Sequence, residues 1–171
     1  MQIPNQVHGF NVYVGATGSK LAGIATVTLS VLNYMVDELK GAGIAGTVEL
    51  IIAGFLQKFG MQLDFHATTS AYLELLAPTA QQIVCRAGIQ YQDDSSLQLL
   101  DIPQRIVAMV YPKGLNLGKL DTGTKPGTLV DFSVVAIDIW FNNVKEISIN
   151  PEHLVCKIGP TDYLANLRTM I

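Results

Sequence analysis

Charge is the first thing this chain has little of. Only 15% of its 171 residues are Asp, Glu, Lys or Arg, where a typical soluble domain carries about 25%. The 11 basic and 14 acidic residues give a formal net charge of -3 and form no basic run. Tight phosphate-driven binding of nucleic acid is therefore not expected, because that term needs clustered Lys and Arg. Cysteine is equally scarce. Cys85 and Cys156 have no metal-ligand spacing and read as two reduced, partly buried thiols. His8, His66 and His153 lie far apart and lack the paired spacing of a helical zinc site. No G-x-S-x-G, C-x-x-C or H-E-x-x-H is present, so the sequence proposes no catalytic residue, no cofactor and no metal, and an enzyme is not expected. The opening MQIPNQVHGF shows no basic segment followed by an apolar core, so no secretory signal is expected. The most apolar stretch, Val48 to Phe59, is interrupted by Glu49, Gln57 and Lys58. It falls short of the roughly 18 uninterrupted apolar residues of a membrane helix, and no membrane anchor is expected.

What is present is apolar surface. Hydrophobic residues make up 49% of the chain, and the mean hydropathy is +0.33. With no membrane segment to absorb it, this apolar excess predicts a subunit that buries surface against copies of itself. The length fits one domain, residues 1–171, with a core that needs no staples.

Strand signals recur along the chain. Phe10 to Val14 and Ile24 to Leu29 alternate around the turn chemistry of Gly15 to Ser19, and Val31 to Leu39 continues as a strand. A glycine-rich loop from Lys40 to Gly46 leads to Thr47–Ile52 and then to Met61–His66. In this last segment Met61, Leu63 and Phe65 face one way, and Gln62, Asp64 and His66 the other. One short helix is expected over Thr68 to Leu76, with hydroxyl caps and Pro78 as its stop. Strands resume at Gln82–Gln92, Leu97–Ile102 and Gln104–Tyr111, and Pro112 to Pro126 reads as a long loop. Several strands, such as Val31–Val36 and Val134–Phe141, are apolar on both faces. A sheet with one wet face alternates more strictly, so a helix, a second sheet or another subunit must cover them.

The last forty residues are the most ordered pattern. Val130 to Phe141 is a β-branched and aromatic run, Asn142-Asn143 breaks it, and Val144 to Ile149 resumes in alternation. Leu154 to Ile158 follows as a short strand, and Asp162 to Arg168 as a small helix. The fold class is therefore mainly β: an antiparallel sandwich or barrel with one short internal helix and a small C-terminal helix.

Three apparent motifs dissolve on inspection. Gly15-Ala-Thr-Gly18-Ser-Lys20 lacks the glycine spacing of a phosphate loop and runs into a strand. Asp64 and His66 share a strand face without a nucleophile beside them. Asp93-Asp94-Ser95-Ser96 lacks calcium-loop spacing and reads as a hairpin tip. The loop Gly41, Gly43, Ile44 and Gly46 has two readings: a flexible connection, or a protruding arm whose Ile44 docks on a neighbour.

In order and spacing the chain resembles the major tail tube proteins of contractile-tailed bacteriophages. The resemblance runs through Asn11–Val14, Gly23–Leu29, the Glu38–Gly46 loop, Arg105–Val107, the Gly118–Gly127 loop and the closing strand-turn-strand-helix with Arg168. It departs where relatives carry an acidic stretch and this chain has Leu50 to Phe55. The resemblance implies homo-hexameric rings, each a ring-shaped β-barrel, stacked into a hollow tube, with loops 40–46 and 112–126 as interaction arms. It implies a tail sheath protein, a baseplate and a tape-measure protein as partners, transient passage of DNA, and a place in the virion tail after assembly in the host cytoplasm. Glu49, Gln62 and Asp64 become the lumen-facing candidates, although an outer solvated face satisfies the period-two pattern equally. A bacteriocin or secretion-type injector tube, and a soluble β-barrel binding module, are the alternatives.

Overall fold

The computed structural model describes residues 2–15, 19–21, 24–41, 45–66, 73–94, 96–123 and 127–171. Among these, the elements that follow in order are β1 Gln2–Val14, β2 Ser19–Leu21, β3 Ile24–Leu29, β4 Tyr34–Leu39, β5 Val48–Leu56, β6 Phe59–Phe65, β7 Gln81–Asp93, β8 Leu99–Asn116, β9 Thr128–Phe141, β10 Val144–Asn150, a 3-10 turn Pro151–His153, β11 Val155–Ile158, β12 Thr161–Asp162 and the short helix α1 Ala165–Met170. All the pairings are antiparallel. The fold is mainly β, as the sequence pattern predicts.

Strand β9 organises the sheet. One edge pairs with β8 along its length; the other pairs with β6 over Thr128–Val134 and with β10 over Ile137–Phe141. A bulge at Val135 separates the two stretches, since Met109 faces Ala136 while Val110 faces Val134. Bulges bend a strand, and this one lets the sheet fork. One branch runs β9–β6–β3 and the other β9–β10–β11–β12, while β8–β7–β1–β2 continues on the far side. The described strands do not close into a barrel within one chain. They form a sandwich-like fold whose buried faces meet in one cluster, built around Val12, Ile83, Leu63, Phe65, Val110, Val130 and Phe132.

Several boundaries differ from those the sequence suggests. Strand β1 starts at Gln2, well before the Phe10 start that the alternation suggests, because residues 2–9 pair with β7. Strand β4 begins only at Tyr34, three residues after the predicted start. The predicted strands Leu97–Ile102, from Leu99 onward, and Gln104–Tyr111 belong to a single strand, β8, which passes through Pro103. There β9 has just ended, and the Pro103 carbonyl accepts from the Asn142 N–H on the β9 side at 2.9 Å. The missing N–H points to the same side, so no β7 hydrogen bond is lost. Strand β8 also continues to Asn116, through a bulge between Pro112 and Gly114, which shortens the predicted loop. Of the helix expected at 68–76, residues 68–72 lie outside the described residues, and Leu73 and Glu74 are helical. Asn142 and Asn143 both take positive φ, 47° and 63°, the left-handed pair that a two-residue hairpin turn requires.

Candidate subunit interface

Strands β4 and β5 form a separate two-stranded sheet. Its sequence is rich in large apolar residues, yet it is uncovered: Met35, Val36, Leu39, Val48, Leu50, Ile51, Ile52 and Phe55 are all exposed, Ile51 by 63%. Gly54 is the one buried residue of the two strands. It adopts φ +79°, and a Cβ there would stand 2.7 Å from the Leu164 side chain. Only glycine accepts both the left-handed backbone and the contact. Leu164 is itself buried in the core, so the foot of the hairpin is locked against the C-terminal segment. Tyr34 stands at the same foot, where burial first, and then the neighbouring Cys156 and Tyr163, raise its phenol pKa.

That segment is held by one carboxylate. Asp162 Oδ1 accepts from the backbone N–H of Leu164 at 3.1 Å and of Cys156 at 3.4 Å, and Oδ2 accepts from Arg168 at 2.8 Å. Arg168 also donates to the Leu154 carbonyl at 3.0 Å. Desolvation pushes the Asp162 pKa up, but the Arg168 and backbone donors outweigh it and lower it. Both cysteines are buried and free. Burial raises the Cys85 thiol to about 11, and burial with the Asp162 charge raises Cys156. Neither is an activated nucleophile.

A second exposed element is the arm formed by residues 2–9 of β1, 88–93 of β7 and 99–103 of β8, beyond the end of β9. It projects about 15 Å at the usual rise per strand residue. At its tip Ser96 Oγ donates to Asp93 at 3.0 Å, the hairpin end expected from the sequence.

The predicted site residues separate into two places. Gly41 and Gly46 flank the β4–β5 tip, Gly46 at φ +127° with open space around a Cβ; Gly43 and Ile44 lie outside the described residues. Glu49 sits on β5 directly opposite Glu38. Gln62 and Asp64 lie on the non-core face of β6, facing Asp131 and Leu129 of β9. Gln62 Nε2 donates to Asp131 at 2.6 Å. Glu49 is thus not brought together with the other two.

A row of cations crosses the sheet that the linear sequence does not announce. Register places Asn11, Arg86, Arg105, Trp140 and Lys145 side by side across β1, β7, β8, β9 and β10. The chain's one tryptophan is flanked by Arg105 at 4.1 Å and Lys145 at 4.7 Å, and Arg86 lies 5.1 Å from the Tyr13 ring. No sequence run foreshadows this row, because its members are scattered over more than a hundred positions; only strand register reveals it. Among the described residues, no group of three His, Cys, Asp or Glu stands close enough to hold a metal. No described helix is long and apolar enough to cross a membrane. What the site offers is contact surface.

The comparisons with known proteins agree with this. A family model described as phage tail tube protein FII matches residues 4–171. No curated protein matches the chain. Among solved structures, a chain of an extracellular contractile injection system, in the PVC sheath/tube terminator in its extended state, shares 15% identity with a TM-score of 0.55, covering 80% of this chain and 96% of that one. A chain of the anti-feeding prophage baseplate shares 12% identity with a TM-score of 0.53, covering 84% of this chain and 100% of that one. At these identities the two structures show a shared fold. The family match spans nearly the whole sequence, and the chain belongs to the phage tail tube protein family.

Proposed function

We propose that this chain is the repeating structural subunit of a phage tail tube, acting through contact with its own copies and not through catalysis. The observation that carries the reading is a folded chain with family membership over residues 4–171 and an apolar β4–β5 hairpin that its own core leaves uncovered. Fully covering one Leu or Ile is worth about 1.5–3 kcal/mol, so a hairpin with several of them supplies a strong drive to associate.

In this reading six copies close into a ring, and rings stack into a hollow tube. The loop carrying Gly41, Gly43, Ile44 and Gly46 contributes to contacts between copies. Glu49, Gln62 and Asp64 are the lumen-facing candidates. A tail sheath surrounds the tube, a baseplate caps it, a tape-measure protein occupies it during assembly in the host cytoplasm, and DNA passes through on contraction of the virion tail. The open, forked sheet suits this reading, since free strand edges are hazards unless a neighbour pairs with them. A second reading, the tube of a DNA-free injector, draws support from the two fold neighbours, whose structures are of an injection system and an anti-feeding prophage. DNA assayed inside purified native particles separates the two.

The test is negative-stain electron microscopy of the purified protein across concentration, with sedimentation beside it. Hollow tubes or rings of uniform width are expected. A strictly monomeric species at every concentration contradicts the reading.

A further inference from the structure

Two like-charge pairs stand out on the surface. On the sheet face, Arg86 and Arg105 are directly opposite on β7 and β8, and both are exposed. Each stacks on an aromatic ring, Tyr13 or Trp140. Among the described residues neither has a carboxylate within ion-pair reach, for the acids on this face are engaged elsewhere. Asp138 binds Lys145 at 3.0 Å and Ser148 at 2.6 Å, and Asp101 binds His8 at 3.0 Å. On the hairpin, Glu38 and Glu49 are directly opposite on β4 and β5. Glu38 has only the exposed Lys40 beside it, at 2.9 Å. Like charges directly opposite on paired strands, with Cβ atoms about 5 Å apart, are destabilising. The arginine pair therefore lacks a counter-charge, and the glutamate pair has one exposed cation for two carboxylates, so each can supply what the other is short of.

The match extends beyond charge. Two residues along from the arginines, on the same face, Val84 and Val107 are again directly opposite. Two residues along from the glutamates, Val36 and Ile51 are directly opposite. Both surfaces thus present a charged row beside an apolar row at the same spacing, set by the strand repeat. The arginine face is also hollow. A concavity of about 660 Å³ opens over it, because the adjoining row is Gly9, Gly88 and Pro103, and a Cβ on either glycine would meet nothing within 4 Å.

We infer that the β4–β5 hairpin of one copy docks on this face of a second copy, along the edge of the concavity, Glu38 and Glu49 against Arg86 and Arg105, and Val36 and Ile51 against Val84 and Val107. The contact rests on the self-assembling reading above and names its two surfaces. It is heterologous, patch to different patch, so it propagates from copy to copy and closes into a ring or continues as a stack. Planar guanidiniums held over aromatic rings suit the role, since they keep their N–H edges free to pair with carboxylates.

Charge reversal tests it. Glu38→Arg with Glu49→Arg, and separately Arg86→Glu with Arg105→Glu, should each raise the concentration needed for assembly by about a hundredfold, because juxtaposed like charges oppose docking. All four changes in one chain should restore assembly. Should that chain fail to give a native melting transition, an equimolar mixture of the two double variants serves instead, since each supplies the surface the other has lost. Either double variant assembling as the wild type does would overturn the pairing and leave the tube reading standing. Two blocked doubles with no rescue in swapped chain or mixture would overturn it too. A wild-type chain that never assembles would overturn both.

Discussion

Strands β5 and β6 are separated by only Gln57 and Lys58, and both are rich in apolar residues, yet they end in opposite environments. In β6 the burial alternates without a break: Phe59, Met61, Leu63 and Phe65 are buried and the residues between them are not. In β5, Val48 to Phe55 is exposed at every position except Gly54. The difference lies in pattern rather than hydropathy. Strict alternation marks a strand whose own chain covers one face, whereas an apolar run on both faces marks a strand whose cover comes from elsewhere. The proposed self-association rests on that contrast more directly than on bulk composition.

The contrast can be broken most strongly at β6. Phe65→Ala removes a fully buried ring and should cost about 3–5 kcal/mol, read as a lower urea midpoint of the isolated subunit. Next is the hinge between the two regions. Gly54→Ala places a Cβ against Leu164 on a left-handed backbone, and such strain costs about 1–3 kcal/mol. Combining it with Leu164→Ala should recover part of the loss, the part due to the clash, in a double-mutant cycle of melting temperatures.

A smaller effect belongs to Asp162. Its pKa is lowered in the folded chain, so its stabilisation is complete above the ordinary carboxylate pKa and is lost as pH falls through the lowered folded value. Hydrogen-exchange protection at the Leu164 and Arg168 amides, taken relative to the intrinsic exchange rate at each pH, should fall across that acid window, and Asp162→Asn should leave it low and flat there. The smallest effect on the folded subunit is expected at the hairpin itself. Leu50→Ser with Ile51→Ser alters exposed side chains and should move subunit stability by no more than about 0.5 kcal/mol per site. The same pair should abolish assembly seen by sedimentation. A large loss of subunit stability in that variant would mean that the hairpin is covered within its own chain.

Much of this was legible in the sequence. The Asn142-Asn143 turn, the β6 alternation and the closing strands announced themselves through local chemistry, because turn type and pleat act over a few residues. The continuity of β8 through Pro103 was not legible, since it depends on where β9 ends. The cation row was hidden for a related reason: Arg86, Arg105 and Lys145 become neighbours only through the register of four strands. Glu49, Gln62 and Asp64 shared a polar pattern, but pattern alone did not reveal that Glu49 belongs to a different sheet.

Hydrogen exchange of residues 34–56, compared between isolated subunit and assembled tubes, tests the central claim most directly. The account predicts rapid exchange of the β4 and β5 amides in the subunit and marked protection on assembly, while the β6 amides are protected in both. Tubes in which 34–56 exchanges as fast as in the free subunit would contradict it.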